Sequence, residues 1–164
     1  MTVPTALVVL DAAGRLESVR LVVFGMPGPQ GSKRHVGGGR MIESSRKVKP
    51  WREAVVWAAR EVLAKHGEPG PFDGPLAYRM TFTLPKPGSA PKRRQTWPCR
   101  KPDGSKLLRS TEDALTDAGF WADDARPVLG AFAKAYPGEG QLALPAPGAV
   151  IEVATLAAWG RLFA

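Results

Sequence analysis

Cysteine is almost missing from this chain. Cys99 is the single thiol in 164 residues, and only two histidines, His35 and His66, accompany it. One thiol excludes an internal disulfide, and one thiol with two imidazoles cannot assemble a structural zinc site of the Cys/His type. Cys99 therefore reads as a loop bystander. Long apolar runs are missing too. The stretch Ala6-Leu7-Val8-Val9-Leu10 is short, lacks a basic leader and ends at Asp11, so neither a signal peptide nor a membrane span is expected, and a cytoplasmic location is. Acids are scarce: 15 Asp and Glu face 23 Lys and Arg, a formal charge of +8. That balance suits a polyanionic partner, nucleic acid above all, better than a small neutral ligand.

What is present is enough for one core. With 44% hydrophobic residues over 164 positions, the chain reads as a single domain, 1–164. Its 18 glycines and 16 prolines imply long loops between the elements.

Residues 19–24 are β-branched and apolar and stop at Gly25-Met26-Pro27-Gly28-Pro29, as a strand before a turn cluster does. The segment 6–10 is a candidate partner for it through Asp11-Ala12-Ala13-Gly14. A loop over 30–46 follows. From Pro50 to His66, Trp51, Ala54, Val55, Ala58, Val62 and Leu63 keep the spacing of an amphipathic helix, ended by Gly67 and Pro69. Residues 76–84 alternate, with Leu76, Tyr78, Met80, Phe82 and Leu84 on one face. A second helix is expected from about Ser105 to Ala118, with Leu107, Leu108, Thr111, Ala114, Leu115 and Ala118 as its buried stripe, and two more strands at 126–135 and 149–157. The order β-α-β-α-β-β predicts an α+β fold: a single mixed β-sheet with two helices packed on it.

Two loops carry the positive charge. The first, about 30–49, holds Lys33 and Arg34, and counted over 33–52 it has seven bases and one acid. The second, 85–102, holds Lys92, Arg93, Arg94, Arg100 and Lys101 with no acid, and Trp97 is available there to stack on an unpaired base. A solvated loop of no function is the competing reading. Lys106 lies just beyond. Trp51, Trp57 and Trp121 are expected in the core or a dimer interface, Trp159 over the last strand, and His66 at a helix end complementing its dipole.

Against this background, Glu112, Asp113, Asp117, Asp123 and Asp124 fall within 13 residues that contain no base. A basic protein that gathers acids beside Asp103 and Arg109 has the design of a metal-dependent nuclease, because Mg²⁺ takes oxygen ligands, commonly one or two carboxylates with phosphate and water. Asp103 precedes the second helix and is a candidate N-cap as well as a ligand. Asp123 and Asp124 follow the apolar anchor Gly119-Phe120-Trp121, which would let the chain return toward the helix.

Pro102-Asp103, Leu107, a base at 109, Asp113-Ala114-Leu115-Thr116, Gly119-Phe120-Trp121 and Asp123-Asp124-Ala125 together resemble the core signature of the RusA-type Holliday-junction resolvases. The resemblance is specific over about 101–128 and weaker over Gly31–Trp51. It implies a small homodimeric endonuclease of phage or prophage type that cuts four-way DNA junctions with Mg²⁺, with Mn²⁺ as a substitute, in recombination and repair. Asp103 matches the first Asp of the family's Asp-x-Asp pair and Asp124 the second residue of its downstream doublet. Arg109 stands where the family has Lys, and Asp113 matches the helix Asp. Ser105 replaces the second Asp of the pair and Lys106 replaces an Asn, so one ligand carboxylate is lost. Glu112 is the candidate to serve a displaced metal position or to pair with Arg109. The rival reading is a junction-binding protein that kept the fold and lost the chemistry through Ser105.

Overall fold

The computed structural model describes residues 6–162 except 32, 36, 40, 44 and 45, and gives the backbone alone for 33–35, 41–43 and 162. Five strands form one mixed sheet in the order β1-β2-β7-β5-β6, where β1 is Leu7–Leu10, β2 Leu16–Phe24, β5 Leu76–Thr83, β6 Pro127–Ala135 and β7 Gly148–Thr155. All neighbours are antiparallel except β5 and β6, which run parallel. A parallel pair needs a crossover, and helix α2, Gly104–Asp117, supplies it. Helix α1, Val48–Lys65, packs beside α2.

The alternation expected for 76–84 sets the core. Leu76, Tyr78, Met80 and Phe82 of β5 join Val19, Leu21 and Val23 of β2 and Ile151 and Val153 of β7 beneath the two helices. Trp51 and Trp121 are buried among them, and the Trp51 indole N–H donates to Thr111 Oγ1 at 3.0 Å, fastening α1 to α2. On the other face of the sheet Glu152 is fully buried and accepts from Arg20 at 2.7 Å and Arg79 at 2.6 Å. Two flanking guanidiniums meet the condition under which a buried carboxylate is tolerated.

Three expectations need correction. The 30–46 segment is not all loop, because β3 (Lys33–His35) and β4 (Met41–Glu43) pair as a separate two-stranded sheet. The last strand stops at Thr155 and a third helix, α3 (Leu156–Leu162), follows, with Thr155 Oγ1 accepting from the Ala158 N–H at 3.3 Å. Of the two places expected for Trp57, the core is ruled out, because the side chain is 67% exposed on α1, bordering a groove with Asp113 and Asp117 of α2; that exposure is compatible with the dimer-interface alternative. Among the described residues no helix is long and apolar enough to cross a membrane.

Candidate active site

Helix α2 begins where Gly104 rests on β6. A Cβ at Gly104 would lie 2.0 Å from the Phe132 ring, so any larger residue would have to push that ring aside for the helix to start this close to the strand. Two residues along β6, Lys134 Nζ donates to the carbonyls of Arg100 and Pro102, both at 3.0 Å. The chain entering α2 is thus held from below just before Asp103. Asp103 occupies the N-cap position with extended backbone (φ −70°, ψ 136°), yet its carboxylate makes no cap hydrogen bond. The capping role expected of it is not taken up, and the side chain is 54% exposed. Among the described residues its nearest cation is Lys106, 4.0 Å away.

The other acids of the cluster have different surroundings. Asp113 and Asp117 flank Arg52 of α1, at 3.4 Å and 2.5 Å, and Arg60 donates to the Asp117 carbonyl. These acids tie two helices together. Glu112 does not pair with Arg109; its Oε1 accepts from the Tyr78 hydroxyl at 2.6 Å. Burial first, then the Glu112 carboxylate, pushes the Tyr78 hydroxyl well above the usual tyrosine range. Asp123 Oδ1 accepts the Ala125 N–H at 2.7 Å, the local bond of a turn aspartate. Asp124 is exposed beside it.

Asp103 and Asp124 stand at opposite ends of α2. The helix has 14 residues, which at roughly 1.5 Å each separates its ends by about 20 Å. After it, Trp121 bridges Phe72 just before β5, and the turn holding Asp123 and Asp124 is closed by Arg126 N–H to Asp123 O. The chain does not return along the helix to Asp103. Among the described residues no three of His, Cys, Asp and Glu come together as a metal site.

Of the cationic candidates, Arg100, Lys101 and Lys106 line a cleft together with Asp103. Lys92, Arg93 and Arg94 are exposed further along the same loop, as is Trp97. That loop is pinned at Glu139, which accepts from Lys86 and, at 2.9 Å, from the Thr96 N–H. Arg109 is exposed on the α1 side of α2 and borders a separate groove with Asp113 and Asp117. The side chains of Lys33 and Arg34 lie outside the described residues. Sequence reasoning passed over Lys134 and Tyr78: Lys134 is a lone base in an apolar strand, and Tyr78 was accounted for by the strand's alternation.

A family model described as endodeoxyribonuclease RusA matches residues 25–144. The chain belongs to the RusA family. The match runs from the turn after β2 through α1, β5, α2 and β6, so the elements that carry Asp103, Arg109 and Asp124 all lie inside it. No curated protein matches the chain significantly. The RusA family is one of endodeoxyribonucleases, and the basic loops and exposed carboxylates of this member suit that chemistry.

Proposed function

We propose that this RusA-family protein is a Mg²⁺-dependent, structure-specific endonuclease that resolves four-way DNA junctions by paired phosphodiester hydrolysis, acting as a homodimer. The observation that carries the reading is the position of Asp103: a helix-start carboxylate without cap bonds, in a cleft whose other charged lining residues among those described are all cations, Lys47, Arg100, Lys101 and Lys106. Mg²⁺ needs only one or two carboxylates beside phosphate oxygens and water.

One chain does not bring Asp103 and Asp124 together, but two chains can. Strand β6 is an open sheet edge of nine residues, with Val128, Leu129 and Phe132 exposed and no charge before Lys134. An uncovered apolar edge is a template for pairing, and pairing with the same strand of a second copy closes a two-fold interface. Antiparallel pairing sets the Pro127 end of one β6 against the Ala135 end of the other. Asp124 of the partner subunit then approaches Asp103, and each dimer has two composite sites. Two equivalent sites are what two symmetric nicks require.

Bound there, Mg²⁺ would neutralise the scissile phosphate and make a bound water more acidic. Lys106 is, among the described residues, the cation nearest to Asp103 and binds phosphate beside it. Arg109, about 9 Å along the helix axis from Asp103, adds a guanidinium that offsets charge developing in the transition state but cannot serve as a base. Lys92, Arg93, Arg94, Arg100 and Lys101 hold the DNA backbone, so binding weakens steeply with salt.

The test is cleavage of an immobile synthetic four-way junction and its matched linear duplex, with Mg²⁺, Mn²⁺ or EDTA. Paired symmetric nicks in the junction alone, abolished by EDTA, are expected. Tight junction binding with no cut under either metal would mean that Ser105 has left a binding protein.

A further inference from the structure

The cleft beside Asp103 has a volume of about 460 Å³, within the roughly 300–1,000 Å³ of small-ligand sites. It lies between two proline-rich loops, the turn after β2 and the 85–102 segment. Its charge is one-sided: Lys47, Arg100, Lys101 and Lys106 border it, against the single carboxylate of Asp103. Its walls are different in character. Met26 and Pro27 stand on one loop, Pro85, Pro87 and Pro98 on the other, and Tyr136 joins them. Cations and apolar side chains bordering one cleft match the two halves of a nucleotide, its phosphate and its flat base.

The cleft is built rather than incidental. Ser110 Oγ donates to the Gly28 carbonyl at 2.6 Å, and the Gln30 N–H donates to the Lys106 carbonyl at 2.9 Å, so the turn after β2 is fixed to the first turns of α2. A Cβ on Gly28 would meet the Lys47 carbonyl oxygen at 2.1 Å, which locks the same turn against the start of α1. Gln30 borders the cleft, and its side-chain oxygen is shielded from solvent with no hydrogen-bond partner among the described residues. A buried acceptor left unpaired is costly and calls for a partner. Gln30 borders this cleft and the groove beside α1, and a rotation of its side chain would bring the oxygen into the cleft, where the ring or exocyclic N–H groups of a base would satisfy it.

We infer that this cleft is a binding site for one unpaired nucleotide, drawn out of the stack next to the phosphate that Asp103 addresses. Its backbone lies on Arg100, Lys101, Lys106 and Lys47, and its base sits between Met26 and the proline wall, oriented by Gln30. The inference rests on the nuclease reading and makes it more specific: bases at a branch point are already partly unstacked, so drawing one out costs least there. Such a site selects branched over continuous duplex DNA without reading a long sequence.

The test uses the full chain and four-way junctions in which each branch-point base in turn is 2-aminopurine, with Ca²⁺ replacing Mg²⁺ so that the DNA stays intact. Binding of wild type should change the 2-aminopurine emission at least about twofold at one branch-point position. Gln30→Met and Met26→Ala should each reduce that change, while fluorescence anisotropy still reports a bound junction. With Mg²⁺, an abasic residue at the responding position should slow single-turnover cutting about tenfold or more, in line with a lost stacking contact. A wild type that binds and cuts the junction with no responding position, or a response undiminished in both variants, overturns the nucleotide site alone. A wild type that binds no junction overturns the nuclease reading and the site with it.

Discussion

The two edges of the central sheet are unlike. At one, β1 has four residues and its register shifts between Val9 and Leu10. A short, irregular strand blunts an edge against pairing with other chains. At the other, β6 runs nine residues beside β5 with apolar side chains exposed and no charge until Lys134. The protected edge lies far from the candidate chemistry. The open edge passes under Asp103 at one end and begins three residues after Asp124 at the other. On the proposed dimer reading, β6 is the edge that would receive a second chain.

The largest effect expected from testing this contrast is loss of chemistry. Asp103→Asn and Asp124→Asn should each lower Mg²⁺-dependent junction cutting by at least about 10²–10³-fold, the size typical of a lost charge-stabilising group at a reacting centre, with junction binding retained in a mobility-shift assay. Next comes the edge itself. Val128→Lys combined with Leu129→Lys should convert a dimer into a folded monomer in sedimentation and remove paired nicking, whereas Leu7→Lys on β1 should leave the dimer intact. A smaller effect is expected at Arg52→Ala, which frees Asp113 and Asp117. These pairs are partly exposed, so stability should fall by no more than about 1 kcal/mol in denaturant melts, and cutting should change little because the pairing of Asp113 with Arg52 marks it as a tie between helices and not a group at the reacting centre.

The smallest effect concerns the basic loop. Lys86 above all, then the Thr96 N–H, holds the Glu139 carboxyl below its ordinary value. A folded-state value lowered in this way stabilises above the unfolded value and is lost as pH falls through the folded one. The 85–102 loop should therefore gain protease sensitivity as pH falls below the ordinary glutamate value of about 4.3, and Glu139→Ala should show that sensitivity already at neutral pH.

Periodicity made much of the fold legible. The Trp51-to-Leu63 spacing gave α1 within two residues, and the alternation of 76–84 gave β5 and its core face. The β3–β4 hairpin was not legible because its strands have three residues each, and Lys33-Arg34-His35 has no apolar alternation. Helix α3 was hidden by the apolar run through Leu156, although Thr155 is an acceptable N-cap. At the site, motif resemblance singled out Asp103 and Asp124, but closeness in sequence suggested closeness in space. The length of α2 and the parallel entry into β6 separate them, and sequence spacing carries no sign of that. The partners of the other acids were equally unreadable, since Arg52 and Tyr78 reach Asp113 and Glu112 from distant segments.

The most direct measurement mixes the two inactive variants. Asp103→Asn and Asp124→Asn chains, each dead alone, are combined, allowed to exchange subunits, and assayed on the four-way junction with Mg²⁺. If each site joins Asp103 of one chain to Asp124 of the partner subunit, every heterodimer holds one intact site and one doubly substituted site. Cutting should then return as single, unpaired nicks. No recovery, with subunit exchange verified, would contradict the composite site and return both carboxylates to separate roles within one chain.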